Sequence, residues 1–140
     1  CFLYVFMEKG IKIKYRKGNP LVYDDAERER HEEFYFSAYD VNKEIGHLIV
    51  TKIIDPVDEL EIELDNPIAS FGSVNPAYRR KGIMREMIYK ANDFCKQQYN
   101  KPLRSDFNNS LKSKLLWKKL ENNGEAERKD YKGLEYWIMK

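Results

Sequence analysis

Only two of the 140 residues are cysteine and only two are histidine. Cys1 and Cys95 form neither a metal nor a redox spacing, so no disulfide framework is indicated. His31 and His47 stand apart, which leaves no imidazole set for zinc, and no metal is expected. An excess of one charge is missing as well. Lys and Arg number 25 against 23 Asp and Glu, a formal net charge of +2, too bland for the whole chain to bind a polyanion by charge alone. No apolar run reaches the roughly 18–20 residues of a bilayer span. Phe2 to Met7 is apolar but stops at Glu8-Lys9, short of a secretory signal. These absences argue against a membrane partner and make the cytoplasm the default compartment. Internal repeats and linkers are lacking too. A start at Cys1 instead of Met reads as a fragment or a processed product.

What is there suits one folded domain spanning residues 1–140. The hydrophobic fraction is 42%, the aromatic fraction 14% and the charged fraction 34%, enough for one core and a well-solvated surface. Phe2 to Lys17 reads as two strands turning at Lys9-Gly10, and Gly18-Asn19-Pro20 breaks the pattern. Asp24 to Glu33 is a charge run, expected as a solvated loop or a short helix. Phe34 to Tyr39 and Ile45 to Ile54 flank turn residues Asp40 to Lys43 and predict a hairpin. Leu60-Glu61-Ile62-Glu63-Leu64 alternates with period two, as a half-buried strand does. Pro67 then predicts an irregularity before the strand Ile68 to Val74.

The clearest element is a helix opening after Gly82. Ile83, Met84, Met87, Ile88, Ala91, Phe94 and Cys95 fall on one face, with Arg85, Glu86, Lys90 and Asp93 opposite. Met84 and Met87 are read as core-filling residues and Cys95 as a buried reduced thiol. Lys101 to Phe107 suits another strand. A second helix runs from Asn109-Ser110 to about Asn123-Gly124 with Leu111, Leu115, Leu116 and Leu120 as its stripe, and Tyr131 to Met139 closes as a strand.

Between the strand ending at Val74 and the first of these helices lies Asn75-Pro76-Ala77-Tyr78-Arg79-Arg80-Lys81-Gly82. A strand, a basic Gly-containing loop and a helix start together make an anion site: the first helical turn leaves N–H groups free, and the helix dipole adds partial positive charge. Gly82 lets a phosphate approach the main chain, and Arg79, Arg80 and Lys81 supply mobile charge; a pyrophosphate would suit the place. Val-x-Pro-x-Tyr-Arg-x-x-Gly-Ile, residues 74–83, resembles the acyl-CoA pyrophosphate loop of the GNAT superfamily of N-acetyltransferases, whose signature is Arg/Gln-x-x-Gly-x-Gly/Ala. Arg79 and Gly82 take its fixed positions, and Met84 stands where Gly or Ala is usual. The resemblance runs from about Phe34 to Lys140. It weakens before that, where the family places two helices that often line the acceptor site and this chain has room for one short helix at most. An open, altered or partner-completed acceptor site follows from that shortage.

The resemblance implies an α/β fold of α+β layered type, a mixed and mostly antiparallel central sheet with helices packed on it. It implies acetyl-CoA (coenzyme A) as cofactor, an amine acceptor that is a small molecule or a protein, and direct acyl transfer in one ternary complex. In that fold the strand before the loop and the strand after the long helix splay apart, so Phe71 to Val74 would face Asp106 to Asn109 across a gap that receives the pantetheine arm. A main-chain N–H near Ser73 or Val74 would polarise the thioester carbonyl. The cofactor-binding set is then Ser73, Val74, Arg79, Arg80, Lys81, Gly82, Ile83, Met84 and Asn109. A lysine-like amine with pKa about 10.4 needs about 4.6 kcal/mol to reach its neutral form at pH 7, so a base is useful. Family members often carry one just upstream of the loop strand, where this chain has Glu61, Glu63 and Asp65; Glu63 is the catalytic candidate, against the plainer reading of a wet strand face. The tyrosine that often protonates the leaving thiolate is replaced by Trp117, which cannot act as the acid.

Two alternatives stand beside this. A catalytically silent CoA-binding or interaction module would share the fold and explain Trp117 and Met84, with a homodimer or larger assembly open. Arg79 to Lys81 with Lys118-Lys119 could serve a nucleic acid, but no RNP-like, zinc-finger or helix-turn-helix signature accompanies them, and nucleic acid is not the expected partner.

Overall fold

The computed structural model describes residues 5–6, 10–18, 22–24, 29–56, 58–107 and 109–140. The elements are β1 (Val5–Phe6), β2 (Ile11–Lys17), β3 (Val22–Asp24), β4 (Glu29–Asp40), β5 (Lys43–Ile53), α1 (Glu59–Glu63), β6 (Ile68–Val74), α2 (Ile83–Tyr99), β7 (Arg104–Ser105), α3 (Leu111–Asn122), β8 (Ala126–Tyr131) and β9 (Leu134–Met139), with a 3-10 turn at Pro76–Tyr78. All described strands join one sheet in the order β1-β2-β4-β5-β6-β7-β9-β8, and β3 pairs with β4. Every pairing is antiparallel except β6 with β7. The expected mixed, mostly antiparallel sheet is the one observed.

Alternation decides which face each strand buries. Phe34, Phe36 and Ala38 of β4 and Leu48 and Val50 of β5 are buried, and so are Ile11 and Ile13 of β2. This face receives α2 through Ile83, Met87, Ile88, Ala91 and Cys95. Asn92 is a polar member of that buried stripe: its Oδ1 accepts from Leu103 N at 2.9 Å and its Nδ2 donates to Lys140 O at 3.1 Å. It satisfies two chain segments that cross the helix, which is why a polar residue sits among apolar ones. α3 contributes Trp117 and Leu120 to the same core, against Ala126, Trp137 and Met139. Glu125 ties α2 to the turn between α3 and β8, accepting from Arg85 Nη2 at 2.9 Å and from the Tyr89 hydroxyl.

Several expectations are corrected. Leu60 to Leu64 is not a strand: residues 59–63 form α1, because Asp58 caps the Leu60 N–H at 2.9 Å and acidic Glu59 and Glu61 sit in the first turn. Its short alternation fits one turn and a half of helix as well as a strand. The charge run from Asp24 is not a loop or helix over its second half, since Glu29 to Glu33 extend β4, Glu29 to His31 pairing with β3 and His31 to Glu33 with β5. Its acidic side chains find partners there: Glu32 meets Lys17 Nζ at 3.2 Å and accepts from the Tyr99 hydroxyl at 3.1 Å, and Glu33 accepts from the Tyr35 hydroxyl at 3.0 Å. The irregularity expected at Pro67 lies at Ser70, which has no partner between the pairs Ile49–Phe71 and Val50–Ala69. The strand expected over Lys101 to Phe107 shrinks to Arg104–Ser105. The closing strand is a hairpin, β8–β9, turning at Lys132-Gly133 with both φ angles positive. On α3, Leu120 is buried as expected, but Leu111 and Leu115 are 74% and 58% exposed, and Trp117 joins Leu120 in the buried stripe. The Lys9 side of the first turn, the Asn19-Pro20 break, Phe2 to Tyr4, Asp25 to Arg28 and Cys1 lie outside the described residues.

Candidate functional site

β6 and β7 pair only at Ile68–Arg104 and Ala69–Ser105. Past Ala69 the two segments part, and a cleft of about 440 Å³ opens between Phe71–Val74 on one side and Asp106, Asn109 and the first turns of α3 on the other. Leu48, Met84, Ile88, Leu116 and Trp117 form its apolar floor and wall. A β6 edge without a partner strand leaves main-chain groups that a linear ligand with amides can use.

The cleft ends at the turn after β6. Asn75 donates its N–H to Ile45 O at 2.7 Å and caps Ala77 N through Oδ1 at 3.1 Å, which starts the 3-10 turn. The Tyr78 hydroxyl donates to Asp40 Oδ2 at 2.6 Å, pinning the turn to the β4–β5 end. Arg79 lines the cleft and its Nε donates to Val74 O at 3.1 Å. Arg80 and Gly82 both have positive φ, 64° and 75°. Gly82 is the N-cap of α2 and makes no side-chain cap hydrogen bond, so the first-turn N–H groups keep their donors for a ligand. A Cβ at Gly82 would meet nothing within 4 Å, so the glycine serves the left-handed conformation and not a packing need.

Met84 is explained by its neighbour. A Cβ added to Gly72 would lie 2.8 Å from Met84 Cε and 3.1 Å from its Sδ. The long side chain therefore lies over a glycine in the facing strand, and the absent Cβ at Gly72 makes the room that Gly or Ala at position 84 would otherwise supply.

The sequence-derived residues divide in three. Ser73, Val74, Arg79, Met84 and Asn109 line the cleft. Gly82 and Ile83 form the helix start, with Ile83 buried in the core, while Arg80 and Lys81 are exposed beside it and Lys81 Nζ sits 5.5 Å over the Tyr78 ring. Asn109 is already engaged: its Nδ2 donates to Asp106 O at 2.5 Å and its Oδ1 accepts from Ser113 Oγ at 3.1 Å, so it shapes the α3 entry. Glu63 is exposed on α1 and is not among the cleft residues. It sits beside Tyr131, whose hydroxyl it pushes up to about 12, with some help from burial. Glu61 is committed to Arg104, and Asp65 to Lys52 at 2.5 Å and Lys101 at 3.6 Å. Trp117 is buried at the cleft wall, and neither Tyr131 nor Tyr136 lines the cleft. Sequence reasoning missed Lys112 and Gly72. A glycine inside a strand is a general sign of close approach, and a lysine in the first turn of α3 was a readable cation beside the gap.

A mixed sheet that parts beside a cationic turn and an uncapped helix start is a scaffold for a phosphorylated ligand with an extended arm. The profile of the acetyltransferase (GNAT) family matches residues 5–112, and the chain belongs to that family. Comparison with curated proteins gives no match. Among the described residues no helix is long and apolar enough to cross a membrane, and no group of three or more acidic, histidine or cysteine residues could hold a metal.

Proposed function

We propose that the chain is an N-acetyltransferase that moves an acetyl group from acetyl-CoA to an amine within one ternary complex. The observation that carries this is the unpartnered edge of β6, Phe71 to Val74, running along a cleft toward the Arg79–Ile83 turn. Those residues fit the cofactor. The uncapped first turn of α2 and Arg79 suit its diphosphate, the free edge suits the amides of its arm, and the apolar wall suits its methylenes. Bound acetyl-CoA supplies the thioester. The chain's part is to orient it, to point the Val74 N–H of β6 at the carbonyl oxygen (Ser73 N–H faces its β5 partner His47), and to keep bulk water off the apolar floor.

Calorimetry with acetyl-CoA, beside release of free thiol in the presence of amines, tests the reading. Arg79→Ala combined with Gly82→Glu is expected to weaken binding at least tenfold while the fold persists. Unchanged affinity in that variant, or no binding by the parent chain, would remove the assignment. Trp117 in the place of the family's usual tyrosine favours a second reading, a module that binds CoA without turnover; tight binding with no thiol release would establish it.

A further inference from the structure

A second recess, about 280 Å³, is lined by Glu44, Ile45, Gly46, His47, Ser73 and Asn75. It shares Ser73 with the cleft. Strand geometry explains the sharing. A Cβ on Gly46 would lie 3.5 Å from Met87 Cε, so the next residue, His47, projects to the sheet face away from α2. Register pairs His47 with Ser73, which puts the Ser73 side chain on that same face. Ser73 also lies beyond the last β6–β7 pair, at Ala69–Ser105, where its neighbours Gly72 and Val74 turn their main-chain groups to the cleft. One stretch of β6 backbone is thus approached from two directions.

The recess has the chemistry of an amine site. His47 is half-buried and stacks on Phe71, with ring centroids 5.4 Å apart and planes 26° apart. Phe71, 57% exposed, lines the cleft and not the recess, and through this stacking it sets an apolar surface beside the imidazole. Glu44 is exposed at the rim and can attract an ammonium. The other groups facing His47 are known from the register. Across β4 its partner is Ser37, and beyond that is Lys14 of β2, whose ammonium lies 4.9 Å over the Tyr39 ring. From β6 it faces Ser73 and Phe71, which carry no charge.

Resting on the acetyl-CoA reading above, we propose that this recess receives the acceptor, a primary amine on a short apolar arm, and that His47 takes its proton. Imidazole is the side chain suited to exchanging protons near neutral pH. The ammonium enters beside Glu44 and gives one proton to the imidazole, which passes it to solvent. The freed lone pair forms the C–N bond at the thioester carbonyl. The C–S bond breaks, and the second nitrogen proton ends on the departing sulfur, leaving amide, free thiol and one released proton. His47 thereby takes the role that the sequence assigned to Glu63.

Two measurements test this, with 2-phenylethylamine as the probe. In the first, imidazole proton signals of the parent chain are followed by NMR as the amine is added. His31→Gln removes the other histidine and so assigns the His47 signal, which is expected to move. In the second, His47→Gln is expected to keep its acetyl-CoA affinity and KM while kcat falls about 100-fold at pH 7. Its residual rate should rise tenfold per pH unit through pH 8, where the parent has already levelled off. Glu44→Gln should raise the amine KM severalfold and leave kcat in place. An unmoved His47 signal overturns the proposal, as does a His47→Gln variant with the parent's rate and pH profile, or a parent that binds acetyl-CoA but never acetylates the probe. All three leave the cofactor reading standing, whereas absence of acetyl-CoA binding by the parent overturns that reading first.

Discussion

Arg104 is the most demanding residue in the sheet. It sits on β7, the short strand where the cleft begins, and its side chain is 1% exposed. Its Nη2 donates to both carboxylate oxygens of Glu61, at 3.2 and 3.1 Å, and Nη1 donates to Ser105 O at 3.1 Å. The Phe107 ring centroid lies 4.9 Å from the guanidinium carbon, and Nε is buried without a hydrogen-bond partner among the described residues. Glu61→Gln would keep the shape of α1 and remove the only carboxylate bonded to that cation among the described residues. At an effective dielectric near 20, unit charges about 3.1 Å apart attract by about 5 kcal/mol. Glu61 is 18% exposed, so solvent screens part of this and the loss should be about 3 kcal/mol. Urea unfolding should show a lower midpoint at unchanged slope. Replacing both partners, Glu61→Leu with Arg104→Met, should recover stability to within about 1 kcal/mol of the parent, because neither charge then needs solvation. A Glu61→Gln loss below about 1 kcal/mol would refute the reasoning and mean that the buried guanidinium draws its stabilisation from elsewhere.

Gly72→Ala places a methyl group against Met84, whose flexible end can rotate away, so stability should fall by only about 1 kcal/mol while acetyl-CoA affinity drops several-fold as the side chain moves into the cleft. Adding Met84→Ala should restore affinity, and calorimetry on the two singles and the double checks it. Burial pushes the Cys95 thiol up from 9.0 to about 12. In a Cys1→Ser background Cys95 should therefore resist thiol reagents at pH 8 until the chain unfolds. The unfolded thiol ionises first, so this contribution to stability is complete below about pH 9 and is lost between pH 9 and 12, by at most about 1.4 kcal/mol per pH unit. For Asp65, burial acts to raise the carboxyl, but the Lys52 hydrogen bond and charge, with Lys101, outweigh it and hold it below its ordinary range. The stability it adds is present above the ordinary carboxylate range and is lost as pH falls through the lowered value. Asp65→Asn should lower the urea midpoint at pH 6 and flatten its decline toward pH 2.

The helix–loop–strand core was legible because its signals are local. The 3.6-residue stripe of α2, the Asp40–Lys43 turn and the glycine before Ile83 each fix conformation within a few residues. What stayed hidden is set by tertiary partners. Five residues of alternating pattern at Leu60–Leu64 hold no information about Arg104, which lies 43 residues beyond Glu61 and gives α1 its anchor. The exposed leucines of α3 mislead for a related reason: the helix is short, and its orientation follows Trp117 and Leu120 packing on the β8–β9 hairpin, which the sequence shows only as one strand. At the site, the motif located the turn, but Met84 became intelligible only when Gly72 was seen opposite it.

The cleft itself depends on a strand that stops early. β6 continues to Val74, whereas β7 gives up pairing after Ser105. Asp106 accounts for the stop: its Oδ1 accepts from Phe107 N at 2.7 Å, and its carbonyl accepts from Asn109 Nδ2 at 2.5 Å, so the chain turns toward the Ser110 cap of α3 instead of following β6. Ser105 Oγ meanwhile accepts from Trp137 N at 2.9 Å, which fixes the end of β7 to β9 just where its pairing with β6 ends. The parting of the sheet is therefore specified by three short polar side chains, Ser105, Asp106 and Asn109. On this account Asp106→Ala would loosen the turn that leads the chain into α3 and weaken acetyl-CoA binding although no charge is proposed to touch the cofactor there. If affinity survived that substitution unchanged, the gap would have to be held open by the packing of Trp117 and Leu116 alone.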